Sequence, residues 1–219
     1  MQKILNDAYR YTKQWIGQGN VANYIPELAK ADSNNLSICV TDLNGYTYSA
    51  EVFNRVGLEP TGDPFNSIVR LETMYSHKPL NPMINAGAIA VASCISGESS
   101  EERFEKILSN ARLLLDNSEL DYNKQVYQSE NEHGGRNRAL AYMMSADSVF
   151  SGNVEEHVNV YFKACSIMAT CEEISYFGAV ISNDGVSPRT GKRLIGQLDV
   201  KLIRSLMCTC GMYDEYQIV

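Results

Sequence analysis

The stretch from Asn81 to Ala92, NPMINAGAIAVA, decides how the rest of the chain must be arranged. Asn81-Pro82 reads as a polar cap with proline at the first helical position, where its missing N–H is no loss. Ile84 to Ala92 is then small and apolar all round, with no polar face to offer solvent. Such a helix is stable only when other elements surround it, so the pattern predicts a deeply buried helix with the remainder packed about it. Asn85 interrupts the apolar run. A carboxamide buried without partners costs on the order of 1–3 kcal/mol, so something must bond it. A core Asn bracing a loop and an Asn serving a ligand both meet that requirement.

Amphipathic helices are the natural covering. Ile4, Leu5, Ala8, Tyr11 and Trp15 share one face of an opening helix that Gly17 and Gly19 end. Ser99-Ser100-Glu101-Glu102 and Thr170-Cys171-Glu172-Glu173 both read as capping boxes, the second opening a helix that closes near Asn183-Asp184-Gly185. Asp199 to Cys210 is a last helix, closed by Gly211. Strands are few. Leu36–Leu43 and Tyr46–Ser49 flank Asn44-Gly45, a strong hairpin signal, and Tyr216–Val219 is a candidate short strand. An isolated hairpin is marginal in water. Glu51–Val56 then reads as helix with only Ala50 between, although redirecting a strand into a helix normally takes a few polar or glycine residues.

Composition bounds the function. The 219 residues are 44% hydrophobic and 21% charged, ordinary for a packed domain, and the net charge of −7 argues against a nucleic-acid or anionic-membrane partner. Nothing reads as a signal peptide or a membrane span, and the cytoplasm is the expected compartment. Six cysteines lie mostly in apolar stretches and are expected to be reduced core thiols. Cys208-Thr209-Cys210 is spaced too closely for a zinc site and has only three scattered histidines to help it, so no metal is expected.

Polar residues cluster at Ser129-Glu130-Asn131-Glu132-His133-Gly134-Gly135-Arg136-Asn137, which reads either as a solvated connection or as part of a site. Tyr161 and Tyr213 read as core or turn tyrosines when taken singly. Together and in order, these segments resemble the serine-dependent glutaminases, relatives of the β-lactamases and penicillin-binding proteins. The resemblance rests on GNVANYIPELA at 19–29, GLEPTGDPFN at 57–66, NPMINAGA at 81–88, Ser129-Glu130 through Arg136-Asn137, Tyr161-Phe162 before Cys165-Ser166, and CGMYD at 210–214.

The resemblance implies a β-lactamase-like α/β (α+β) fold, with an incomplete sheet portion from 1–50 and 199–219 and a helical portion from 51–198. It implies hydrolysis of L-glutamine to L-glutamate and ammonia through a serine acyl-enzyme, without cofactor, in a homo-oligomer (dimer or tetramer). Tyr24, Asn85, Glu130, Asn137, Tyr161 and Tyr213 would line the substrate pocket, with Glu130 facing the ammonium, the asparagines facing the carboxylate, and Tyr213 relaying a proton. The family's nucleophile is the Ser of a Ser-x-x-Lys motif on a helix after the second strand. This chain has none: Arg10, Glu27, Tyr75, Arg103, Asp121, Val160, Arg189 and Leu198 stand three places before its lysines. The Ala50–Glu51 join is where that helix belongs. A natural deletion, a truncated chain and residues missing from the sequence at this join are the three explanations. A catalytically inactive relative that binds an amino acid or serves in assembly is the alternative function.

Overall fold

The computed structural model describes residues 2–36, 55–73 and 77–210. Nine helices follow in order among them: α1 (Gln2–Lys13), α2 (Val69–Thr73), α3 (Asn85–Ser93), α4 (Ser100–Leu115), α5 (Lys124–His133), α6 (Gly135–Ala146), α7 (Val154–Cys165), α8 (Cys171–Ser182) and α9 (Gln197–Cys210). No β-strand occurs among the described residues, only isolated bridges between Tyr122 and Ile167 and between Val186 and Arg193. The expected sheet is therefore not seen in the described residues. Its hairpin lies outside them apart from Leu36, as does the strand at Tyr216–Val219. Of Glu51–Val56, only Arg55 and Val56 are described, and they form a turn and a bend rather than helix. No helix among the described residues is long and apolar enough to cross a membrane.

α3 is the buried helix that its sequence requires, but it starts at Asn85 and not at Asn81. The Asn81 side chain is used differently: its Oδ1 accepts from Met83 N at 3.0 Å, closing an Asx turn, and its Nδ2 donates to Glu59 O at 2.8 Å. Fully buried, Asn81 bolts the 57–60 segment to the start of α3. Gly87 makes this possible, because a Cβ there would sit 1.8 Å from Asn81 O.

α7 is the hub, packing against α3, α4, α5 and α6. Ile89 and Ala90 of α3, Leu140 and Met144 of α6, and Val158 and Phe162 of α7 form the main core. Phe104, Leu108, Leu115 and Leu120 make a second cluster under α4, with Phe177 of α8 against it. Caps set the helix starts: Asn123 Oδ1 accepts from Gln125 N at 2.9 Å, and Asn153 Oδ1 from Glu155 N at 3.0 Å. Thr170 and Glu173 form a complete capping box. Ser99 forms half of one, since Glu102 reaches back to Glu98 N instead.

Two buried cations sit beside the core, each with a carboxylate. Lys163 Nζ meets Glu101 and lies over the rings of Phe104 and Tyr127, 5.7 Å from each centroid. Arg103 reaches Glu156 at 2.5 Å and donates to His157 Nδ1 at 2.8 Å, while His157 Nε2–H donates to Ser151 O at 2.9 Å. These bonds fix one neutral tautomer, and burial pushes the His157 imidazole below its ordinary range. The thiols do not follow expectation. Among the described cysteines Cys210 is buried, Cys94 and Cys171 are half-buried, and Cys165 and Cys208, near the ends of α7 and α9, are exposed.

Two outcomes are expected. Gly87→Ala should lower unfolding free energy in urea by about 1–3 kcal/mol, the usual cost of overpacking, despite alanine's better helix propensity. Because His157 is depressed, the unfolded chain takes up its proton first as pH falls below about 6.5, so stability should drop from there down through the folded pKa. His157→Gln should flatten that part of a stability–pH curve.

Candidate active site

The polar cluster at 129–137 is not a loop. Its residues form the last turn of α5 and the first turn of α6, with Gly134 between them. A Cβ on Gly134 would lie 2.2 Å from Phe162 Cζ and 2.5 Å from Glu130 O, so this junction closes against α7 only with glycine. Glu130 and Asn137, seven residues apart, both turn inward, while Asn131, Glu132 and Arg136 stay exposed.

Two loops complete the walls. Ile25 is buried, and Glu27 N donates to Ser129 Oγ at 3.4 Å, which holds the 19–30 segment against α5. The second loop is tied at two points: Asn85 N donates to Phe65 O at 2.9 Å, and Arg136 Nε donates to Asn66 O at 2.7 Å. Tyr24 of the first loop meets Phe65 of the second edge to face, with centroids 6.2 Å apart.

These elements enclose a cavity of about 130 Å³ lined by Tyr24, Ile25, Asn66, Asn85, Glu130, His133, Gly134, Arg136 and Asn137. Larger depressions of about 240 Å³ beside Trp15 and about 440 Å³ beside Arg112 are more open to solvent. Asn85 is half-buried rather than enclosed, and its Nδ2 donates to Asn137 Oδ1 at 2.9 Å, which answers what bonds its amide and leaves the Asn137 amino group for a ligand. Glu130 is 3% exposed, and its Oε2 has no hydrogen-bond partner among the described residues. Burial raises its pKa, partly offset by a hydrogen bond from the Tyr24 hydroxyl. Tyr24 is half-exposed, and its hydroxyl is pushed up to about 12 by partial burial and then by the facing Glu130 carboxylate.

Of the sequence-predicted residues, Tyr24, Asn85, Glu130 and Asn137 come together in this cavity. Tyr161 does not line it. It is buried on α7, with its hydroxyl pushed up by burial, then by the hydrogen-bonded Cys165 thiol, and further by the nearby Glu130 carboxylate. Tyr213 lies outside the described residues. Arg136, His133, Asn66 and Ile25 were not singled out. Arg136 and His133 sat in the marked cluster, but their spacing gave no sign of which side chains faced inward.

A family model described as Glutaminase matches residues 47–217. A glutaminase from Clostridium botulinum is 45% identical over 242 positions, covering 98% of this chain and 79% of that protein. Glutaminase 2 of Clostridium perfringens is 40% identical, covering 98% and 80%. The alignment with the C. botulinum protein is at least 23 positions longer than this 219-residue chain, so that protein has residues opposite gaps here. The crystal structure of a probable glutaminase from Bacillus subtilis superimposes with a TM-score of 0.73 at 41% identity, covering 76% of this chain; the chain spans about half (53%) of that one. A solved probable glutaminase from B. subtilis complexed with 6-diazo-5-oxo-L-norleucine gives a TM-score of 0.80 at 30% identity, covering 97% of this chain and 73% of that one.

A carboxylate held above its ordinary pKa opposes folding once it ionises. Glu130→Gln should therefore be more stable than the unaltered chain at pH 7, by about 1–3 kcal/mol. The gain should shrink as pH falls to 4.5 and below, where the carboxyl takes up its proton in the unfolded chain as well. Denaturant midpoints at pH 4.5 and 7 measure it. Equal midpoints for the two chains at pH 7 would mean that Glu130 is satisfied in solution.

Proposed function

The chain belongs to the glutaminase family, and on that premise we propose that its cavity takes L-glutamine, whose side-chain amide is hydrolysed to L-glutamate and ammonia. The observation that carries this reading is the buried Glu130 oxygen with no partner, beside the bonded pair Asn85 and Asn137. An unpartnered buried carboxylate is tolerated where a cationic ligand completes it. An α-amino acid brings an ammonium for Glu130 and a carboxylate for the Asn137 amide. The 6-diazo-5-oxo-L-norleucine of the B. subtilis complex is by its name also an L-amino acid. Tyr24 closes the pocket over Glu130, Tyr161 supports it from α7, and Tyr213 is assigned the proton relay.

The acyl-enzyme needs a serine beside an amine, and this chain has no Ser-x-x-Lys. We assign the nucleophile to residues that the C. botulinum protein carries opposite the gaps of its alignment, at the Ala50–Glu51 join. The absence of the motif also favours a second reading, an inactive relative that keeps the pocket to bind an amino acid or to serve in assembly. The same proposal includes a β-lactamase-like fold with its sheet portion at 1–50 and 199–219 and its helical portion at 51–198. It also includes a cytoplasmic, cofactor-free homo-oligomer, dimer or tetramer.

The test is ammonia release from L-glutamine by two purified proteins: these 219 residues as they stand, and the same chain with the C. botulinum residues restored between Ala50 and Glu51. Restoration should confer turnover that EDTA leaves unchanged and that Ser→Ala in the restored motif abolishes. The chain as it stands should bind L-glutamine without turning it over. Turnover by the chain as it stands would place the nucleophile elsewhere.

A further inference from the structure

The α5–α6 junction places two opposite charges on one cavity, one buried and one at its solvent-facing rim. On one side is Glu130, in the last two turns of α5, with its free Oε2. On the other is Arg136, the second residue of α6. Its Nε donates to Asn66 O, and it forms no ion pair with an acidic side chain among the described residues. Glu130 and Arg136 line the same cavity yet are not paired with each other.

The backbone repeats this polarity. The carbonyl end of α5 carries partial negative charge, and the first turn of α6 carries partial positive charge from N–H groups that no side chain caps. Breaking one helical path at Gly134 thus sets an anion-favouring end beside a cation-favouring end. Each end bears a side chain that strengthens it: Glu130 on the negative side, Arg136 on the positive.

We infer that Arg136, with the uncapped first turn of α6, selects the α-carboxylate of the substrate, so that the cavity recognises the zwitterionic head of an α-amino acid and not its amine alone. This rests on the proposed function and assigns to Arg136 a role in specificity. The guanidinium is held by its Nε on the Asn66 carbonyl, which leaves its terminal N–H groups for a carboxylate. Asn137, on the same turn, supplies a neutral donor beside it.

The experiment is calorimetric titration of the unaltered chain, Arg136→Gln and Arg136→Lys with L-glutamine and with 4-aminobutanamide, which is glutamine without its carboxylate. The unaltered chain should prefer L-glutamine. Arg136→Gln should weaken L-glutamine about tenfold or more at low salt while changing 4-aminobutanamide less than twofold, and 1 M NaCl should narrow the difference. Arg136→Lys keeps the charge without the Nε bond to Asn66, so it should retain most of the preference. Equal weakening of both ligands in Arg136→Gln, or the same loss in Arg136→Lys, would make Arg136 a brace for the Asn66 loop and overturn the inference while leaving the functional reading intact. An unaltered chain that binds neither ligand would overturn both.

Discussion

Everything at the candidate site depends on the contact between Gly134 and the ring of Phe162. There is no room for a side chain between them, so α5 ends and α6 begins directly against α7. Had this position carried a Cβ, the two helices would have to stand off from α7. Glu130 and Asn137 would then lose the surface against which they are turned. α7 is the hub of the core, so the junction is held by the most constrained part of the molecule. A site built on such elements keeps its geometry without a ligand, as selective binding requires.

The treatment of buried charge separates structure from function. Arg103 and Lys163 are as buried as Glu130, yet each has a carboxylate, and Lys163 also has two aromatic faces. His157 is held neutral by bonds to both ring nitrogens. The fold therefore satisfies buried ionisable groups where it can. At Glu130 it leaves an oxygen unpartnered in a cavity, next to amides that are half used, and the cost is borne by the unliganded state.

Several errors in reading the sequence have a common physical origin. Asn81-Pro82 reads as a helix cap, but the Asn81 amide ties Glu59 and Met83 instead, and α3 begins later. The 129–137 cluster suggested a loop because Gly-Gly usually marks one, whereas a single glycine sufficed to break the path between two helices. Cys165 reads as a core thiol, but it lies at the last residue of α7 and is exposed there, with its thiol bonded to the Tyr161 hydroxyl. For Asn81 and for Gly134 a local preference is overruled by a partner distant in the chain, Glu59 and Phe162 respectively.

The sequence by itself determined the helical periodicities, the Ser99 and Thr170 caps that start α4 and α8, and the small-residue run that makes α3 a central helix, because these depend on neighbours within about four residues. Through its motifs it also determined the family. Only the tertiary structure decided which polar residues share a cavity. Tyr24, Asn85 and Glu130 are separated by tens of residues, and nothing in their spacing requires them to meet. They meet because Ile25 is buried against the helices, Phe65 O is bonded by the first residue of α3, and Gly134 lets α5 and α6 close onto Phe162. The unpartnered state of Glu130 is likewise a property of the packed molecule, since a carboxylate becomes costly only when water is removed from it and nothing is supplied in return.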